Sequence, residues 1–179
     1  MVSYLDYSPR PAVEEDLPQI VAIEAQCMRP PWSLESFRAE FNKRTTRFWV
    51  VTDNETDAKI LAYIVFSLPA EQAHIQTFAV HPELKRQGLG KYLLRQVIAF
   101  VMREKAESIV LEVRKGNQPA VQLYQSLGFI VLHTMPKFYP DGEDGYSMIY
   151  RTERARLGSD YEQDFEEDDG PVGERKNLN

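Results

Sequence analysis

His81-Pro82-Glu83-Leu84-Lys85-Arg86-Gln87-Gly88-Leu89-Gly90-Lys91 follows a strand-like run, His74 to Val80, and opens an apolar-periodic run that continues to Lys105. Two glycines two apart at the mouth of a helix let a ligand approach the main chain, and the helix start offers unpaired N–H groups and a positive dipole end. Arg86 and Lys91 flank the pair and add side-chain positive charge, which suits a pyrophosphate better than a neutral ligand. A glycine pair alone is weak evidence, because such pairs are common in turns. Spacing excludes two familiar phosphate motifs. A P-loop needs glycine where Lys85 stands and Ser or Thr where Tyr92 stands, and a dinucleotide fingerprint needs a third glycine at Leu93.

Working outward, Gly88 to Lys105 reads as a helix with Leu89, Leu93, Leu94, Val97, Ile98 and Val101 on one side, packed on a sheet. Pro9 to Val13, Phe48 to Thr52, Ile60 to Leu68, His74 to Val80, Ser108 to Val113, Phe129 to Thr134 and Tyr146 to Thr152 read as strands. Helices are expected over Asp16 to Cys27, from Ser33 past Phe41, and from Asn117 to Leu127, where Gly128 ends the last one. This order predicts an α/β domain. Residues 1–156 form it, and 157–179 are expected to be an acidic, disordered tail: from Gly158 to Asn179 eight acidic residues face only Arg175 and Lys176.

Without that tail the body is balanced, 19 acidic against 19 basic residues, which argues against a dedicated nucleic-acid binder. With 43% hydrophobic and 27% charged residues the chain has the composition of one soluble domain. A single cysteine, Cys27, and three scattered histidines show no metal-ligand spacing, so no metal is expected. The start lacks a signal-peptide pattern, and no stretch approaches the roughly 18 apolar residues of a membrane helix. A cytoplasmic location is expected.

Two residues stand out for chemistry. Glu112 lies in an otherwise apolar strand, where a carboxylate needs a partner or a task, pairing with Arg114 or solvent being the plainer alternative. Tyr124 lies a turn before Leu127-Gly128; its ring can simply fill core space, and its hydroxyl can donate a proton to a leaving thiolate. Trp32, stiffened by Arg29-Pro30-Pro31, sits at a bend where either packing or recognition is open.

The glycine loop resembles the Q/R-x-x-G-x-G/A loop of the GNAT N-acetyltransferase superfamily, with Lys85 in the place of Gln or Arg. Val110-Leu111-Glu112-Val113-Arg114 through Asn117, Ala120, Leu123-Tyr124 and Leu127-Gly128-Phe129 resembles a block of the RimI-type ribosomal-protein alanine N-acetyltransferases, and Pro31-Trp32-Ser33 resembles their PWS. Lys137-Phe138-Tyr139 to Asp144 and Tyr146-Ser147-Met148 is similar to a segment of catalytic subunits that acetylate protein N-termini, with Phe138 for Tyr and Gly145 for Ala.

The resemblance implies the GNAT fold, a mixed, mostly antiparallel sheet of about seven strands with about four helices. It implies acetyl-CoA as co-substrate, held by Phe78, Ala79, Val80, Arg86, Gln87, Gly88, Leu89, Gly90, Lys91 and Asn117. Glu112 would be the general base and Tyr124 the general acid, with Trp32 and Tyr139 on the substrate side. The acceptor implied is a protein or peptide N-terminus, most directly the N-terminal alanine of the eighteenth small-subunit ribosomal protein, without direct nucleic-acid or membrane contact. Acetylation of lysine or a small amine, and an acyl-CoA-binding module with vestigial catalysis, are the competing readings. The oligomeric state stays open.

Overall fold

A computed structural model describes residues 7–53 and 59–153, so the expected acidic tail lies outside the described residues. Seven strands make one sheet: β1 (Arg10–Pro11), β2 (Thr46–Thr52), β3 (Ile60–Ser67), β4 (Gln72–Val80), β5 (Ser108–Arg114), β6 (Ile130–Met135) and β7 (Gly145–Arg151). Their order is β1-β2-β3-β4-β5-β7-β6, antiparallel except for β4 against β5. Among the described residues four α-helices accompany them: α1 (Leu17–Cys27), α2 (Leu34–Phe41), α3 (Leu89–Arg103) and α4 (Gln118–Gln125).

The helices cover both faces. Ile64 and Phe66 of β3 pack with Leu93, Leu94 and Val97 of α3 and Val121 of α4, whereas Tyr63 and Val65 pack with Ile20 and Ile23 of α1 and Phe37 of α2. The alternation of a pleated strand therefore divides the apolar residues of β3 between two cores, one on each side of the sheet.

One local departure differs from the sequence reading, and one feature of β4 adds to it. The first strand shrinks to Arg10–Pro11, because Asp16 turns back: its carboxylate takes Arg10 Nη1 at 2.7 Å and the Val13 N–H at 2.8 Å, closing a 3-10 turn over Glu14–Asp16. The helix expected from Asp16 begins at Leu17 instead. Second, β4 does not alternate throughout. Val65 pairs with Thr77 and Phe66 with Ile75, so Gln76 is an extra residue on β4, a β-bulge. Ala73 and Ile75 lie in the core beneath α3 and α4, while Ala79 lies in the core beneath α1 and α2. The bulge thus exchanges the faces of the strand.

Just there β4 and β5 part. Their parallel pairing runs from Gln72 with Ser108 to Ile75 with Leu111, yet β4 continues to Val80 and β5 to Arg114. The gap between the diverging strands opens into a cavity lined by Ile75–Val80 of β4 and Leu111–Arg114 of β5.

Candidate active site

A cavity of about 1220 Å³ passes through the split, lined by both strand ends, the α1–α2 connection, the glycine loop and α4. One edge of β4 is available to it. His81 N–H donates to Leu61 O at 2.8 Å, so alternate residues turn to β3, and Phe78 and Val80 direct their main-chain groups to the side from which β5 has withdrawn. Phe78, Ala79 and Val80 all line the cavity, and the Cys27 thiol donates to Val80 O at 3.6 Å.

The glycine loop forms the opposite end. Gly88 is the N-cap of α3 at φ 94°, a left-handed conformation that suits glycine, and it provides no side-chain cap for the first-turn N–H groups. Those groups, together with Arg86 and Lys91 at the cavity wall, fit a diphosphate. Gly90 is needed for a second reason: a Cβ there would stand 3.0 Å from Phe78 Cζ and 3.3 Å from Val80 Cγ2. Its absence lets the start of α3 lie directly against the Phe78 and Val80 side chains of β4. Gln87 and Leu89 do not bring their side chains to the cavity. Gln87 donates to Glu83 O at 3.2 Å, and Leu89 is buried in the core, so main-chain groups are what they offer a ligand. Asn117 lines the cavity and also caps α4, accepting the Ala120 N–H at 3.4 Å.

Glu112 and Tyr124 both line this cavity. Glu112 does not pair with Arg114; His74 donates through Nε2 to Glu112 Oε2 at 2.6 Å. The two residues lie on the same face because Val110, two residues before Glu112, is the register partner of His74. The hydrogen bond to Glu112 raises the His74 pKa above its ordinary value, against the opposing effect of burial. Tyr124 is 7% exposed with its ring 5.7 Å from that of Phe129. Burial, and secondarily Tyr139, raises its phenol pKa, so it holds its proton at neutral pH.

Trp32 and Tyr139 also line the cavity. Trp32 packs on Phe37 at 5.3 Å, and Tyr139 lies under the Arg114 guanidinium at 4.0 Å. Arg114 in turn binds Asp141 at 2.8 Å and Glu143 at 2.7 Å, which secures the β6–β7 connection to β5.

Sequence reasoning missed two polar residues here. His74 gave no signal, being a single histidine at the start of a strand. Glu24 gave one: it lies within the apolar stripe of α1, one turn after Ile20, the same anomaly that singled out Glu112. It is 1% exposed and lines the cavity. Among the described residues, no group of three or more His, Cys, Asp or Glu is placed to hold a metal, and no helix is long and apolar enough to cross a membrane.

A sheet opened between two parallel strands, with a glycine-bearing helix start facing the opening, suits a CoA-dependent acyltransferase, and the comparisons with known proteins agree. The sequence profile of the Acetyltransferase (GNAT) family matches residues 17–129. The chain belongs to the GNAT family and is an acetyl-CoA-dependent N-acetyltransferase. It is 31% identical over 131 residues to the [ribosomal protein bS18]-alanine N-acetyltransferase of Escherichia coli K12, covering 72% of this chain and 86% of that protein. It is 32% identical over 157 residues to an N-alpha-acetyltransferase of Sulfurisphaera tokodaii, covering 80% and 92%. The crystal structure of the ribosomal-protein-S18-alanine N-acetyltransferase from Escherichia coli superposes with a TM-score of 0.74 at 30% identity, covering 81% of this chain and 93% of that one.

Proposed function

We propose that the enzyme acetylates the free N-terminal α-amine of a protein, most directly the N-terminal alanine of the eighteenth protein of the small ribosomal subunit. The observation that carries this reading is the single cavity in which Glu112, Tyr124, Trp32 and Tyr139 meet the open edge of β4. The likeness to the bS18-alanine enzyme supports the choice of acceptor.

In this reading the amine attacks the thioester carbonyl directly. A main-chain N–H near Val80 polarises the carbonyl, Glu112 takes a proton from the nitrogen directly or through water, and Tyr124 protonates the departing thiolate. His74 holds the Glu112 carboxylate in orientation through its hydrogen bond. The diphosphate of the co-substrate rests on the main chain of residues 86–91 with Arg86 and Lys91, and Asn117 adds a contact at the start of α4. A mild base suffices, because an α-amine titrates near 7.7 to 8.0, about 2.5 units below lysine.

The test is mass spectrometry of a peptide with N-terminal alanine and an internal lysine, incubated with acetyl-CoA and either wild type or Glu112→Gln. Acetyl on the α-amine, lost in the variant, is the expected result; acetyl on lysine overturns the reading.

A further inference from the structure

The buried carboxylate of Glu24 plays no part in the proton transfers above. A carboxylate so placed is costly unless donors surround it. Three do. The Trp32 N–H donates to Oε1 at 3.0 Å, the Thr77 hydroxyl donates to Oε2 at 3.1 Å, and the Tyr63 hydroxyl donates to Oε2 as well. One side chain of α1 therefore joins the α1–α2 connection to β3 and to β4, and it meets β4 at Thr77, beyond the last β4–β5 pair.

The other end of the same connection is tied to the other strand. The Arg114 guanidinium of β5 donates to Arg29 O while held by Asp141 and Glu143. Residues 29–32 thus bridge the two strands where they have parted, secured to β5 at Arg29 and, through Glu24, to β4 at Trp32. All four residues of this bridge line the cavity. Its position relative to Thr77–Val80 sets the space between the Trp32 wall and the edge of β4.

We infer that Glu24 is a positioning residue that determines specificity: by fixing the Arg29–Trp32 bridge over the split it limits the size of the first side chain of the acceptor. This rests on the N-terminal reading above. Glu24 touches neither reacting group in this account; it acts through Trp32 and Thr77.

The experiment compares wild type, Glu24→Ala, Glu24→Gln and Thr77→Val on peptides beginning with alanine or leucine, with acetyl-CoA varied separately. Glu24→Ala and Thr77→Val are each expected to raise the KM of the alanine peptide roughly tenfold and to narrow alanine-over-leucine discrimination by about the same factor. The KM for acetyl-CoA is expected to stay within about twofold, because the glycine loop is not part of the bridge. Glu24→Gln keeps an oxygen for the Trp32 N–H, and the two hydroxyls can turn to accept from its amide, so it is expected to restore most of the discrimination. Unchanged discrimination in Thr77→Val, or both KM values rising together, overturns the proposal. Acrylamide quenching of Trp32, the remaining tryptophan in a Trp49→Phe background, reads the bridge without turnover. Wild type that acetylates no peptide α-amine counts against the N-terminal reading alone. Quenching then decides the role of Glu24: a rise in Thr77→Val supports it, and no change overturns it.

Discussion

His74 and Glu112 stand on the two strands that part, and their 2.6 Å hydrogen bond runs diagonally across the last register pair, Ile75 with Leu111, from one residue before it on β4 to one residue beyond it on β5. A group on β4 thereby orients the carboxylate of β5 at the position where the sheet no longer does so. Positioning of this kind matters because proton transfer depends on geometry before basicity.

Glu112→Gln is expected to lower kcat by about 10²- to 10⁴-fold while leaving the KM for acetyl-CoA nearly unchanged, since Gln keeps the shape and loses the base. Single-turnover rates with the alanine peptide check this. Wild-type turnover would remove Glu112 from the chemistry.

The raised pKa of His74 fixes the direction of a pH effect. A histidine whose folded pKa exceeds its unfolded value stabilises the protein fully below the unfolded value, near 6.5, and that contribution is lost as pH rises through the folded pKa. The His74–Glu112 pair therefore stabilises the fold most at mildly acidic pH. In Glu112→Gln the His74 titration, followed by NMR, is expected to move down, and the mildly acidic stabilisation to shrink. An unmoved titration would show that Glu112 does not cause the shift.

Tyr124→Phe retains the ring against Phe129 and removes the proton donor. Turnover is expected to fall roughly 10- to 1,000-fold. The loss should narrow with an acetyl thioester of a more acidic thiol, which leaves without protonation. An equal loss with both donors would assign Tyr124 to packing instead.

Gly90→Ala is expected to act on the co-substrate rather than on the acceptor. The added methyl meets the Phe78 and Val80 side chains, so it pushes the start of α3 away from β4. The KM for acetyl-CoA should rise about tenfold or more, because small misplacements in a close-packed site are costly. The KM of the alanine peptide should change little, and the two values measured separately provide the check.

The parts of this site legible in sequence are those carried by local pattern. The glycine loop depends on φ angles and helix-end donors within a few residues, so Gly88, Gly90, Arg86 and Lys91 could be read directly. Glu112 and Glu24 both break an apolar stripe; reading the first and passing over the second reflects the stronger contrast of a charge in a strand than on a helix, where polar faces are routine. His74 carried no contrast at all, because a half-exposed histidine on a strand is unremarkable until its neighbour on the next strand is known.

The sequence by itself determined the element order, the α/β class and the glycine-bearing start of α3, since periodicity and turn chemistry are properties of neighbouring residues. Only the tertiary structure decided where the sheet opens. The bulge at Gln76 depends on the register of β4 against β3, and the end of the β4–β5 pairing at Ile75 and Leu111 depends on register between strands more than 30 residues apart in the chain. That register exchanges the faces of β4, turns Thr77 to Glu24 and brings His74 to Glu112. Contacts of this range are set by how two cores fill on opposite faces of one sheet, which no local pattern encodes.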